Sequence, residues 1–183
     1  STSSPDNNAV KTVIATGVAQ GAVLSSVDIR CAYLNAKNKK FPVYYRLPVG
    51  LRKYDPNTGE EIVAYSESAV YGRRQSGRLF EQHVEGSIES IGFSKMEYMV
   101  CTYVLDIKDS NHPYFLLYGE VGKIIIVRQT DDFMIVSYDS EALRQRTVDM
   151  FRQNYEITTT EPGQAFMFNG LEIHQNLNTG DVS

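Results

Sequence analysis

Residues 123–138 read KIIIVRQTDDFMIVSY, and this stretch decides the fold. KIIIV is rich in β-branched residues and FMIV follows the polar interruption, a pattern of two strands joined at a tight turn. Asp131 and Asp132 then stand at a hairpin tip. Aspartate is a common turn former that caps its own backbone, so the pair taken alone suits an ordinary turn. The rest of the chain decides whether it is also a site.

Downstream, SYDSEALRQRTVDMFRQNY predicts a helix capped by Ser140 or Asp139, with Leu143, Thr147, Met150 and Phe151 on its buried side. Upstream, VCTYVLDI and PYFLLYGE read as strands separated by the turn KDSNH. From Ser76 to Ile91, Phe80, Val84, Ile88 and Ile91 recur at helical spacing, Glu81, Glu85 and Glu89 line another face, and Gly92 fits a C-terminal cap. LRKYDPNTGEEIVAY is a turn-rich excursion through Asp55, Pro56, Asn57 and Gly59 before EIVAY resumes as a strand.

Nearer the N-terminus, NAVKTVIATGVAQ suits a helix through Val10, Val13, Ile14 and Val18. AVLSSVDIR reads as a strand carrying Asp28 near its end, FPVYYRL as another, and GQAFMFNGLEIHQN as a strand or hairpin. The order predicts an α+β fold in which helices cover one face of a mainly antiparallel sheet. In such a sheet the first strand and the central hairpin can lie adjacent, bringing Asp28 close to Asp131 and Asp132.

The 183 residues suit one domain, with residues 1–8 (STSSPDNN) as a frayed polar tail and 9–183 as the folded part. The absence of an initiator Met, and an end at NTGDVS without a closing helix, suggest a piece of something longer. A hydrophobic share of 42% with 22% charged residues is ordinary for a soluble globular protein. No stretch has the length of a membrane span or the pattern of a signal peptide, so the expectation is an intracellular protein without a membrane partner.

Cys31 and Cys101 lack paired-ligand spacing, which argues against zinc and for buried thiols. A net charge of -4 argues against non-specific coating of nucleic acid. Basic residues nonetheless gather at Arg30, Lys37, Lys39, Lys40, Arg46, Arg52 and Lys53, and again at Arg73, Arg74 and Arg78. Each cluster taken singly fits a solvated face at least as well. His83 and His174 have no identifiable acid or metal partner and are assigned no chemistry.

Three carboxylates meeting at strand ends resist ionisation unless positive charge sits among them. Magnesium would supply it, with hard oxygen ligands and substrate phosphates. Two such ions about 3.5 to 4 Å apart clamp the attacking and leaving oxygens of phosphoryl transfer.

At this point the chain resembles the reverse transcriptase domain of copia-type LTR retrotransposons. VDIRCAYLNAKNKK is similar to the family's motif around its first catalytic aspartate, and VYYRLPVGL to the strand and Pro-Gly turn that follow. AVYGRRQSGRLFEQHV resembles the LYGLKQ segment, with Phe80 where Trp is common, and IGFSKMEYMVCTYV resembles the next stretch. RQTDDFMIV falls in place of the YVDD box, and FMFNGLEI is similar to the FLGxEI strand. The segments occur in the family's order from about Val23 to Gln175.

The resemblance implies a polymerase palm, a ferredoxin-like antiparallel sheet with helices on one face, carrying partial fingers and lacking thumb and RNase H. It implies an RNA-directed DNA polymerase working with two Mg²⁺ or Mn²⁺ ions, dNTP, and an RNA or DNA template with primer. Asp28, Asp131 and Asp132 match the family's catalytic, metal-binding acids. Tyr33 matches a steric gate against the ribose 2'-hydroxyl, though burial as core suits a tyrosine equally.

Gln75 and Ser76 match the loop that contacts the template-side base and incoming nucleotide, with helix capping as the plainer role for Ser76. Gln129 replaces the usual tyrosine before the Asp pair, which touches primer-end positioning before metal binding. Phe168, Asn169 and Gly170 match the strand near the primer terminus, with an ordinary edge strand as the alternative. Arg73, Arg74 and Arg78 could contact phosphate, a role set below the solvated-face reading.

Self-association or docking with the remaining polyprotein domains follows from exposed subdomain interfaces, and the family's setting implies a cytoplasmic virus-like particle. Two other readings stay open: a domesticated or decayed palm-fold module acting in nucleic-acid or protein interaction without catalysis, and a palm-type nucleotide cyclase.

Overall fold

The computed structural model describes residues 3–36, 43–69 and 76–183. From the N-terminus the elements are helix α1 (Asn7–Ala19), strand β1 (Val23–Ile29), the short helix α2 (Ala32–Asn35), β2 (Val43–Tyr45), a 3₁₀ turn at Val49–Leu51, β3 (Lys53–Tyr54), β4 (Glu61–Ile62), β5 (Ala64–Ser66) and helix α3 (Ser76–Ser90). There follow β6 (Ser94–Lys95), β7 (Thr102–Ile107), α4 (Phe115–Tyr118), β8 (Gly122–Gln129), β9 (Asp132–Tyr138), α5 (Glu141–Asn154), β10 (Ile157–Thr160), β11 (Phe166–Phe168) and β12 (Leu171–Ile173). The chain divides into a smaller unit, Ala32–His83, and a larger one made of the residues up to Cys31 together with Val84–Ser183.

The larger unit is built on a six-stranded antiparallel sheet in the order β10-β1-β9-β8-β7-β6. Its central strands β8 and β9 are almost continuously apolar, so they are buried on both faces. On one face Leu24, Ile125, Val127, Met134 and Val136 pack against Val10 and Val13 of α1 and against Phe166, Phe168 and Ile173 of the β11-β12 hairpin. Gly17 lets α1 lie directly on β9, since a Cβ there would stand 2.7 Å from Val136 Cγ1.

The opposite face carries Phe133, whose ring meets Phe151 of α5 at 4.9 Å, and Tyr103, whose hydroxyl donates to Glu85 Oε1 of α3 at 2.8 Å. α5 starts where the sequence predicts: Ser140 Oγ accepts from Leu143 N at 3.0 Å, and Leu143, Thr147, Met150 and Phe151 are buried.

In the smaller unit β2 pairs with β5 and β3 with β4, all antiparallel. Tyr44 and Tyr65 are cross-strand partners with ring centroids 5.2 Å apart, both exposed. Asp55 Oδ1 accepts from Asn57 N at 2.7 Å and Thr58 N at 3.2 Å, closing the predicted turn.

Several expectations change. PYFLLYGE is not a strand: Phe115–Tyr118 is a single helical turn closed by Gly119 at φ 76°, and the strand that pairs with β7 is β8, further along the chain. β10, unforeseen, is an edge strand beside β1. Helices do not all share one face, since α1 takes the face opposite α5. α1 begins at Asn7, within the stretch expected as a tail, and Pro5 ahead of it is buried. Cys101 is buried as expected, but Cys31 is exposed because it sits just past the end of β1. No described helix is long and apolar enough to cross a membrane.

Candidate active site

The two registers of β9 assemble an acidic strand end. Across β1–β9, Asp28 is the direct partner of Asp132, and across β8–β9, Gln129 is the direct partner of Asp132. Direct partners share a face of the sheet, so Asp28, Gln129 and Asp132 lie side by side on it. Asp131 occupies the two-residue turn with Thr130, and its carbonyl accepts from Ile29 N at 3.0 Å, tying the tip of the hairpin to the end of β1.

Thr130 takes a left-handed φ of 56°. That conformation is uncommon for a β-branched residue and marks a constrained turn of the primed type. The hairpin is therefore held both by its own turn and by β1. Asp28 Oδ2 also accepts from Thr158 Oγ1 of β10 at 3.2 Å.

Crowding of like charge shows in the protonation of the pair. Burial raises the Asp132 carboxyl first, and the charges of Asp28 and Asp131 with a hydrogen bond to Asp28 raise it further, to about 6. Burial also raises Asp131, opposed by a bond to its own backbone N–H and reinforced by the charge of Asp28. All three acids are half-buried, reachable from solvent. Among the described residues no three Asp, Glu, His or Cys side chains already form a closed ligand cluster. The donor set nonetheless suits a hard divalent cation, being all carboxylate oxygen with unrelieved negative charge at its centre.

The remaining candidates separate. Gln129 flanks Asp132, where it can meet anything the acids hold. Tyr33 lies in α2 with its side chain outside the described residues, and Arg73, Arg74 and Gln75 also lie outside them. Ser76 is the first residue of α3 and is buried, and Arg78 is exposed on the same helix.

Phe168 is 1% exposed within the core cluster. Asn169 and Gly170 form the β11-β12 turn with φ of 49° and 77°. The Asn169 amide donates to Pro5 O at 3.1 Å and to Asn7 Oδ1 at 2.6 Å, fastening the hairpin to the start of α1. These three residues thus have a structural task of their own.

Sequence reasoning missed Thr158, because ITTT carries no apolar alternation to mark a strand, and it missed Arg128. Arg128 is fully buried on the face away from the acids, its backbone N donating to Cys101 O at 2.8 Å and Nη2 approaching Cys101 Sγ at 3.6 Å. Beside it Glu85 accepts from Tyr103 and from Lys95 Nζ, each at 2.8 Å. Burial alone would raise the Glu85 carboxyl, but those bonds and the charges of Lys95 and Arg128 outweigh it and hold it below its ordinary value. The signal was the i, i+2 spacing of Arg128 from Ile124 and Ile126, which puts it on the buried side.

The profile of a family described as "Reverse transcriptase (RNA-dependent DNA polymerase)" matches residues 2–183. A relative, the "Putative transposon Ty5-1 protein" of Saccharomyces cerevisiae, is 25% identical over 158 residues, 86% of this chain and 44% of its own length. The chain thus spans less than half of that relative.

Proposed function

Because this chain belongs to the reverse transcriptase (RNA-dependent DNA polymerase) family, we propose that the acidic strand end is the centre of RNA-directed DNA synthesis in a copia-type retrotransposon protein. The primer 3'-hydroxyl attacks the α-phosphate of a dNTP and pyrophosphate leaves. The observation that carries this reading is the register that sets Asp28 opposite Asp132 at the foot of the constrained Thr130–Asp131 turn.

Asp28, Asp131 and Asp132 would hold two divalent ions, Mg²⁺ or Mn²⁺. Bound there, the ions supply the positive charge that favours the ionised hydroxyl and the developing charge on the triphosphate. Asp132 enters with its proton held to about 6, so at neutral pH its carboxylate is available as a ligand. Gln129, beside Asp132, faces the primer end or the nucleotide with an amide that can donate and accept.

The order β10-β1-β9-β8, with α3 following β1 and α5 following β9, supports a ferredoxin-like palm. The smaller unit corresponds to partial fingers in this reading. Tyr33 as steric gate, Gln75 and Ser76 as nucleotide contacts, and Arg73, Arg74 and Arg78 as phosphate contacts complete the proposal, with Phe168, Asn169 and Gly170 near the primer strand. A cytoplasmic particle and the remaining polyprotein domains are its proposed setting.

Primer extension on poly(rA)/oligo(dT) with Mg²⁺ or Mn²⁺ tests it, using this chain, the longest parent chain, and an Asp131→Asn/Asp132→Asn variant of each. Extension by the parent chain that disappears in the variant supports the proposal. A silent parent chain that still folds overturns it in favour of a non-catalytic interaction module.

A further inference from the structure

We propose that Thr158, on the edge strand β10, is a positioning residue for the acidic site: its hydroxyl holds the Asp28 carboxylate in the orientation that binds a divalent cation. The inference rests on the nucleotidyl-transfer reading of the site. Asp28 has two direct cross-strand partners, Asp132 on β9 and Thr158 on β10. Asp132 repels it once both are ionised, and Thr158 donates to it, with Thr158 Oγ1 at 3.2 Å from Oδ2. Like charges placed directly opposite are destabilising, so the Asp28 carboxylate needs a contact that fixes its orientation while it stands beside Asp132.

The donor is itself well placed. Strands β10 and β9 flank β1 on opposite sides, so the bond draws Oδ2 towards the flank away from Asp132. β10 is anchored just before Thr158, where Arg30 N donates to Glu156 O at 2.8 Å and Arg30 Nη1 pairs with Glu156 Oε1 at 3.0 Å. Threonine is stiff at χ1, so a strand threonine presents its hydroxyl at little entropic cost. Its neighbour does something else: Thr159 alternates to the other face and its hydroxyl reaches Glu161 Oε1 at 3.4 Å. Within ITTT, Thr158 is thus the residue whose hydroxyl meets the acid.

Groups that orient a metal ligand from outside typically change metal affinity about 10- to 100-fold when removed. This one is exposed, which places its expected effect at the lower end. The test is Mn²⁺ binding to the full chain at pH 7, read by electron paramagnetic resonance of free Mn²⁺. The variants are Thr158→Val, Thr158→Ala, Thr158→Ser and Asp28→Asn, each with a parallel thermal melt.

Thr158→Val and Thr158→Ala are expected to weaken binding about tenfold, while Thr158→Ser, which keeps the hydroxyl, stays within about twofold of the wild type. Valine and alanine variants that bind like the wild type, or a serine variant as weak as valine, overturn the positioning role. A wild type that binds no better than Asp28→Asn overturns the metal-site reading itself, and the inference falls with it.

Discussion

Arg128 and Gln129 are consecutive on β8, as are Asp132 and Phe133 on β9, yet each pair is split between two different environments. Arg128 and Phe133 point into a closed face, where both are fully buried. Gln129 and Asp132 point to the other face, which α1 and the β11-β12 hairpin cover further along, and they are half-buried at its strand end, where Asp132 stands against Asp28. Below the sheet, a positive side chain is surrounded by apolar packing, sulfur, a tyrosine hydroxyl and a carboxylate held low. Above it, Asp131 and Asp132 lie beside Asp28, and the proton affinity of Asp131 and Asp132 rises. The contrast teaches where compensation within the fold ends: charge on the closed face is compensated by its neighbours, and the carboxylates at the strand end stand against one another.

The largest effect expected from this contrast is catalytic. Asp131→Asn/Asp132→Asn in the parent chain is expected to lower primer extension by at least about 10³-fold, since on the proposed mechanism it removes the charge that would gather the cations. Far-UV circular dichroism of the same variant stays unchanged, because the half-buried strand end lies outside the core cluster.

On the closed face the order reverses. Arg128→Ala costs about 3 kcal/mol in urea unfolding, through an empty volume and a carboxylate deprived of its partner charge. Arg128→Met, which refills most of that volume, costs less than about 1.5 kcal/mol. Equal losses in the two variants would show that the guanidinium itself, and not its packing, holds the closed face.

A smaller effect belongs to the hairpin turn at Asn169 and Gly170. Gly170→Ala forces a side chain onto φ 77° and costs about 1 kcal/mol, although no atom stands within 4 Å of its Cβ position. Asn169→Ala removes two hydrogen bonds to the start of α1 and costs about 1 kcal/mol. Hydrogen exchange of the α1 amides is expected to speed up in both.

Much of this was legible in the sequence for identifiable reasons. The β8-β9 hairpin announced itself through β-branched runs around a polar turn, and α5 through a serine cap and a helical stripe, both being local signals. Strand order allowed Asp28 to lie near the Asp pair without showing that the strands pair, and the register supplies the pairing of Asp28 with Asp132. What stayed hidden depends on distant pairing. β10 is a strand because β1 offers it an edge, not because ITTT prefers it, and Thr158 is therefore visible as Asp28's donor only in three dimensions. PYFLLYGE has strand-like composition, yet the strand that pairs with β7 is β8 further along, and Phe115–Tyr118 forms a helical turn ended by Gly119. Phe168, Asn169 and Gly170 carried a motif, yet their contacts are with the core and the N-terminal segment.

The most direct test of the central claim is the thermal melt of the wild type and Asp132→Asn across pH 5 to 8, with and without Mg²⁺. The native Asp132 pKa, about 6, lies above the ordinary 3.8, so the folded state binds its proton more tightly than the unfolded state. Stability from this group is therefore greatest below the unfolded value and is lost as pH rises through about 6. The penalty at neutral pH is on the order of 1 kcal/mol, reduced from the full linkage value because the carboxylate is part-exposed.

Without Mg²⁺, Asp132→Asn is expected to melt higher than the wild type at pH 7, with the gap closing towards pH 5. Mg²⁺ at ten times its dissociation constant should then raise the wild type by about 1.4 kcal/mol and leave Asp132→Asn nearly unmoved. A wild type and a variant with the same pH profile and the same response to Mg²⁺ would contradict the account, because the acids would then be neither repelling one another nor holding a cation.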